Sequence, residues 1–257
     1  MRSKTAAVAR EDVIEGLGKG LRIIEAFDDD HPLLGASEAA ALTGITRTAA
    51  RRQLLSLVHF GYAHTDGRHF WLAPRVLRLG QSYLGASRLP RIVQPFIQRI
   101  SMACGETVNV SVLDGHEVVY VARSSPPRWM SVGYQVGVRV PAHGVTAGVV
   151  MVAALPDTVV DEWIAAHDFA SFTDLTVTDP ERFRAELHEA RTLGHWVTSG
   201  QLDAGFWGLS LALVDRKGAC RGALGMTVPL TRYGEQRIAD TLLPALREAA
   251  QDLRPLI

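Results

Sequence analysis

Arginine is the residue type whose placement in this chain most plainly implies chemistry. Between Arg47 and Arg78 stand Arg47, Arg51, Arg52, Arg68, Arg75 and Arg78, with His59, His64 and His69 and the single acid Asp66. Upstream, from Met1 to Thr46, five Lys or Arg face eight Asp or Glu. A local basic block inside a neutral chain is the electrostatic footprint of nucleic-acid binding, against the plainer alternative of a solvated basic face. The cations are also spaced for contact. On a helix from Arg47 to His59, Ala50, Leu54, Leu57 and Val58 form one apolar stripe, and Thr48, Arg51, Arg52 and Gln53 occupy the other face.

Other constellations offer less. Gly16, Gly18 and Gly20 form G-x-G-x-G, but a nucleotide cradle needs a strand before it, and none is expected there, so close packing and helix entry are the alternative. Asp28 to His31 offers metal-ligating residue types, but adjacent acids in a turn are ordinarily just solvated. C-x-x-C, H-E-x-x-H and G-x-S-x-G are absent from the sequence, which removes the simplest zinc and serine-hydrolase readings. No metal and no cofactor is expected. Of the nine histidines, His143 alone lies in a stretch with functional character, and there a structural hydrogen bond outweighs a catalytic base. Arg123, Arg128 and Arg139 lie on or beside strands; one turned inward would clamp a carboxylate, though surface positions are favoured.

The elements that position the basic block follow from periodicity. Residues 1–12 read as a flexible tail. Leu17, Leu21, Ile24 and Phe27 give a helix from Val13 to Phe27, and Glu38 to Leu42 a short second helix ended by Gly44. Thr46 caps the basic helix. Tyr62 to His64 and His69 to Leu72 are strand-like, joined through Asp66-Gly67 as a tight hairpin. Helix, short helix, glycine turn, basic helix and hairpin make a winged helix-turn-helix over residues 13–74. Its groove-facing candidates are Arg47, Thr48, Arg51, Arg52 and Gln53, with Arg68 and His69 on the wing.

A linker helix is expected over 75–89, where Val76, Leu77, Tyr83 and Leu84 suit a dimer contact, and Pro90 is read as a domain boundary. Residues 90–257 then give a helix (Arg91 to Cys104) and strands at Thr107 to Leu113, Val118 to Arg123 and Met130 to Val140. Helices follow at Thr146 to Leu155, Val159 to His167 and Pro180 to Leu193, with Thr178 or Asp179 as cap. Strands at Gly208 to Val214 and Ala223 to Thr227 and a helix from Tyr233 to Leu253 complete it. An antiparallel sheet with helices on its faces makes the chain α+β. Its 257 residues, 27 basic against 27 acidic and 47% hydrophobic, describe a soluble two-domain protein. Cys104 and Cys220 read as reduced thiols, and neither a membrane span nor a signal sequence is seen, so a cytoplasmic location is expected.

Three segments, Gly16 to Phe27, Thr43 to Ala63 and Tyr120 to Gly148, resemble the IclR family of bacterial transcription regulators, and most closely its branch that senses aromatic acids such as protocatechuate and 4-hydroxybenzoate. The resemblance runs from Val13 to Leu253. It implies a winged helix, a dimerising linker helix and an effector domain with a GAF-like sheet. It also places Thr146, Ala147, Ser199, Gly208, Gly225 and Thr227 at an effector pocket. Trp129, Met130, Phe206 and Trp207 add aromatic and apolar surface near it. The chain departs from the family at Trp207, where an arginine is usual, and at Ser199-Gly200-Gln201, where an acidic pair is usual. The function expected is a ligand-responsive DNA-binding regulator of small-aromatic-acid catabolism. It would bind a palindromic double-stranded operator and a small organic acid as a homodimer, with a homotetramer open. The rival is a methyltransferase-like enzyme using the winged segment only to dimerise, for which no C-terminal glycine loop is found.

Overall fold

The structure is a computed structural model and describes residues 8–127 and 133–257. It divides into two compact units, one up to Tyr83 and one from Leu84 to Ile257.

In the first unit, helix α1 (Glu15–Glu25), strand β1 (Leu34–Gly35), helix α2 (Ala36–Thr43), helix α3 (Arg47–His59) and strands β2 (Ala63–Thr65) and β3 (His69–Leu72) follow in order. Gly44 ends α2 at φ 67, a conformation open to glycine, and the Thr46 hydroxyl accepts the Ala49 N–H to start α3. Ile23, Leu34, Ala39, Ala50, Leu54, Leu57 and Phe70 form the core. The hairpin turns at Gly67, φ 96, and β1 adds to its far side by pairing Leu34 with Phe70. A two-residue strand has no periodicity, which is why it escapes sequence reading. The three glycines of G-x-G-x-G all lie within α1. A Cβ would meet nothing within 4 Å at Gly16 or Gly18.

After a 3-10 turn at Pro74–Val76, helix α4 (Leu77–Ala86) has no buried residue, and Leu77, Leu79 and Tyr83 are exposed. Pro90, read above as a boundary, falls in the first turn of helix α5 (Arg88–Cys104), a position proline tolerates because its missing N–H would be unpaired anyway.

In the second unit come strands β4 (Val108–Asp114), β5 (Glu117–Ser124) and β6 (Arg139–Pro141), then helices α6 (Thr146–Ala153), α7 (Asp157–Ala165) and α8 (Pro180–Leu193). Strands β7 (Trp196–Ser199), β8 (Phe206–Val214) and β9 (Cys220–Pro229) follow, and helices α9 (Glu235–Arg237) and α10 (Leu243–Leu253) flank a π-helical turn at Ile238–Leu242. The expected strand from Met130 to Val140 reduces to β6. Residues 133–138 form no strand, with a bend at Gly133 and a turn at Val136 and Gly137, and Met130 lies outside the described residues. Asp179 is the cap of α8, accepting the Glu181 N–H at 2.8 Å.

The six strands form one antiparallel sheet in the order β6-β5-β4-β9-β8-β7. On one face Val93, Ile97, Leu209, Leu211, Leu213 and Leu246 pack under α5 and α10. On the other, all eight residues of α6 are buried, with Trp163 and Phe183 of α7 and α8 beyond it. Among the described residues no helix is long and apolar enough to cross a membrane.

Candidate functional site

The exposed edge of α3 carries Arg47, Thr48, Arg51 and Arg52, and among the described residues no acid pairs with any of these arginines. Gln53 departs from them. It is half-buried and turned toward α1, where its Oε1 would stand 3.2 Å from a Cβ at position 20. Arg68 is exposed at the hairpin tip. His69 is half-buried, its ring 3.3 Å from Asp66 Oδ2. The Asp66 carboxylate accepts the backbone N–H groups of His69 and Arg68, which with the His69 ring hold its pKa down to about 2.

The second unit encloses a cavity of about 410 Å³ between the sheet and the start of α6. Strand parity decides what reaches it, since alternate residues face opposite sides. On β8, Phe206, Gly208 and Ser210 face the cavity, and on β9 Gly225 and Thr227 do, paired as Ser210 with Gly225 and Gly208 with Thr227. Thr146 is buried and its hydroxyl shares a 2.8 Å hydrogen bond with that of Ser210. Glycine at two strand positions lets Ser210 and Thr146 pack this closely. A Cβ at Gly225 would overlap Ser210 Oγ and stand 2.7 Å from the Leu209 carbonyl oxygen, and one at Gly208 would stand 3.0 Å from Thr146.

Of the residues expected at the pocket, the structure brings together Thr146, Ala147, Phe206, Gly208, Gly225 and Thr227. One needs correction, and one stands at the edge of the cavity. Ser199 pairs with Trp207 and shares its face, and the residue of β7 that lines the cavity is Thr198, opposite Gly208. Trp207 borders the wall, but its side chain lies with the α5 and α10 core, and its ring N–H donates to the Tyr233 carbonyl at 3.0 Å. A one-residue slip in a strand exchanges faces, and sequence matching without a register made that slip. Trp129, Met130 and Arg128 lie outside the described residues. Arg139 points outward to Asp114 and Glu117, 2.8 Å from each.

Sequence reading missed Asn109, Ser111, Tyr120, Tyr134 and Gln201, all of which line the cavity. The signal was present in β4. In Val108-Asn109-Val110-Ser111-Val112, polar residues occupy every second place of a strand at the middle of a sheet covered by helices on both sides, where both faces are normally apolar. Burial pushes the phenols of Tyr120 and Tyr134 up, so both stay neutral hydrogen-bonding groups. Gln201 is spent on the frame: it accepts the Val177 N–H at 3.0 Å and donates to Thr198 at 3.2 Å.

Next to the cavity-lining Gly144, starting at His143, three imidazoles meet head to tail. His143 Nε2 is 2.9 Å from the Ala170 carbonyl, His143 Nδ1 is 2.6 Å from His167 Nε2, and His167 Nδ1 is 3.1 Å from His116 Nδ1. A carbonyl only accepts, so His143 donates there and accepts from His167, which in turn accepts from His116. Burial first, then the neighbouring His143 and His116, hold His167 down at about 4, and burial lowers His143 too. The unfolded chain therefore binds more protons than the folded one between about pH 4 and 6.5, and stability falls as pH falls through that window. The thermal midpoint should drop from pH 7 to pH 5 and drop less in His167→Gln; an equal slope in that variant would remove the cluster as the cause.

Comparison with known proteins matches residues 16–67 to the IclR helix-turn-helix domain and residues 81–254 to the bacterial transcriptional regulator IclR C-terminal domain. The chain is 36% identical to the p-hydroxybenzoate hydroxylase transcriptional activator of Acinetobacter baylyi, over 97% of this chain and 94% of that one. It is 33% identical to the Pca regulon regulatory protein of Pseudomonas putida, over 94% and 84%. Among solved structures, a transcriptional regulator of Rhodococcus sp. RHA1 superposes with TM-score 0.82 at 35% identity, covering 94% of this chain and 97% of that one. An IclR homologue of Microbacterium hydrocarbonoxydans in complex with 4-hydroxybenzoate superposes with TM-score 0.74 at 25% identity, covering 93% and 97%. The relatives are named as regulators, not as enzymes, which speaks against the methyltransferase-like alternative.

Proposed function

The chain belongs to the IclR family of bacterial transcriptional regulators, and from that membership we propose that it binds a palindromic operator as a homodimer and releases or engages it in response to a small aromatic acid. Residues 13–74 serve as the DNA-binding part, 75–89 as the linker and 90–257 as the effector part. Arg47, Thr48, Arg51 and Arg52 enter the major groove from the N-terminal half of α3, while Arg68 and His69 reach the flanking backbone from the wing. The apolar side chains left exposed on α4 suit the dimer contact, and effector units meeting in pairs would give a tetramer. The protein works in the cytoplasm, where its DNA is.

The observation that carries the effector reading is the cavity itself, about 410 Å³, walled by Tyr120, Tyr134 and Phe206 and lying beside an α6 N-terminus that no side chain caps. Aromatic walls of this kind suit a flat, mostly apolar ring. Its carboxylate is offset by the N–H groups and dipole at the start of α6 together with the Thr146 hydroxyl. The relatives named for p-hydroxybenzoate hydroxylase and the pca genes support the same class.

Calorimetric titration with a panel of benzoates and short aliphatic acids tests this. Benzoates are expected to bind, and Thr146→Val to weaken them by about 1 kcal/mol through one lost hydrogen bond. Binding of aliphatic acids alone would overturn the reading.

A further inference from the structure

Asn109 is a polar residue of the cavity whose acceptor has no partner among the described residues. It sits on β4 near the middle of the sheet, is 4% exposed, and lines the cavity. Its Oδ1 is fully buried and has no hydrogen-bond partner among the described residues. Native interiors seldom leave such an acceptor unpaired, and where they do, a ligand or solvent is the usual claimant. The position is also fixed relative to the rest of the slot. Asn109 pairs with Gly225 on β9, and Gly225 with Ser210 on β8, so the three lie in one row across the sheet with the bare glycine in the centre. Ser210 bonds Thr146 at the start of α6. Asn109 is thus two strand spacings, roughly 10 Å, from the end of the row where the carboxylate is placed.

We propose that Asn109 is the specificity-determining residue of the effector site, its carboxamide oxygen accepting a hydrogen bond from an O–H or N–H donor on the ligand ring at the end away from the carboxylate. This rests on the aromatic-acid reading above and adds to it: the effector is a benzoate with a ring donor, oriented acid toward α6 and donor toward β4. A site built to pair a donor rejects the analogue that lacks it, because the buried acceptor then stays unpaired.

The test is calorimetric titration of the full chain with benzoate and its hydroxy, amino and fluoro derivatives, in the 3- and the 4-substituted series. Fluorine approximates the hydroxyl in size and lacks the proton. In one series the hydroxy and amino acids should bind about tenfold or more tightly than the fluoro and unsubstituted ones. In Asn109→Ala that ratio should fall to about twofold or less, and the urea midpoint of the ligand-free protein should not drop, since the change deletes an unpaired acceptor. No donor preference in the wild type, a preference that survives Asn109→Ala, equal loss of all four acids, or a large drop in the midpoint would each overturn the assignment. Failure of the wild type to bind any benzoate would instead overturn the aromatic-acid reading itself, and the assignment with it.

Discussion

Replacing Arg51 and Arg52 together by alanine is expected to weaken operator binding by about a hundredfold or more, since each base-reading arginine contributes about 1 to 3 kcal/mol of discrimination. Both side chains project from the exposed edge of α3, while Ala50, Leu54 and Leu57 hold the opposite edge in the core. The loss should therefore come without a change in thermal midpoint. As DNA contacts, Arg51 and Arg52 would also displace counterions from the duplex, so the dependence of log affinity on log salt should flatten in the double variant by roughly one unit for each phosphate that is no longer neutralised. Fluorescence anisotropy with operator DNA over a salt series reads both effects. Normal affinity and an unchanged slope would take α3 out of the interface.

The second large effect is on folding, at Gly148 in α6. Alanine for glycine within a helix ordinarily stabilises by roughly 0.5 to 1 kcal/mol. Here a Cβ would overlap the carbonyl oxygen of Ala142 and stand 2.6 Å from its Cα. These are backbone atoms of the 3-10 turn Ala142–Gly144, packed against a helix whose every residue is buried, so neither partner can yield. Gly148→Ala should lose about 3 kcal/mol or more in urea unfolding, and with it effector binding, because the turn and the helix that Gly148 brings together present His143 and Thr146. Gly16→Ala and Gly18→Ala, in α1 where the same Cβ meets open space, should instead gain stability. A Gly148→Ala protein as stable as the wild type would mean that α6 and the turn can part without consequence.

The difference between these glycines marks where the sequence is informative. Two of the three glycines of G-x-G-x-G, conspicuous by spacing, face open space, whereas Gly148, conspicuous in nothing, fixes the centre of the effector unit. Helix α3 is legible to the residue because its cap, its apolar stripe and its exposed cations are all local. The hairpin is legible for the same reason, through Asp66-Gly67. Strand pairing is not local. Sequence reading therefore found Thr146, Phe206, Gly208, Gly225 and Thr227 but assigned Ser199 where the sheet presents Thr198, and it did not show that the Trp207 ring, at the edge of the cavity, packs with the α5 and α10 core. The short strands β1 and β7 went unseen. The cavity's polar face was written in β4, yet it becomes meaningful only once both sides of the sheet are known to be covered.

The line of three histidines ends on the Ala170 carbonyl, an atom that can neither store a proton nor pass one on. Three imidazoles in contact look like a wire, and a wire needs an outlet. With both rings of His143 and His167 committed at each nitrogen, a hop along the line would have to reverse all the tautomers at once and would arrive nowhere. What the line transmits is position. Its far end is the segment whose Thr173 and Thr176 hydroxyls donate to the carbonyls of Gly200 and Gln201, two residues of the cavity wall, so the turn at His116 is mechanically tied to that wall.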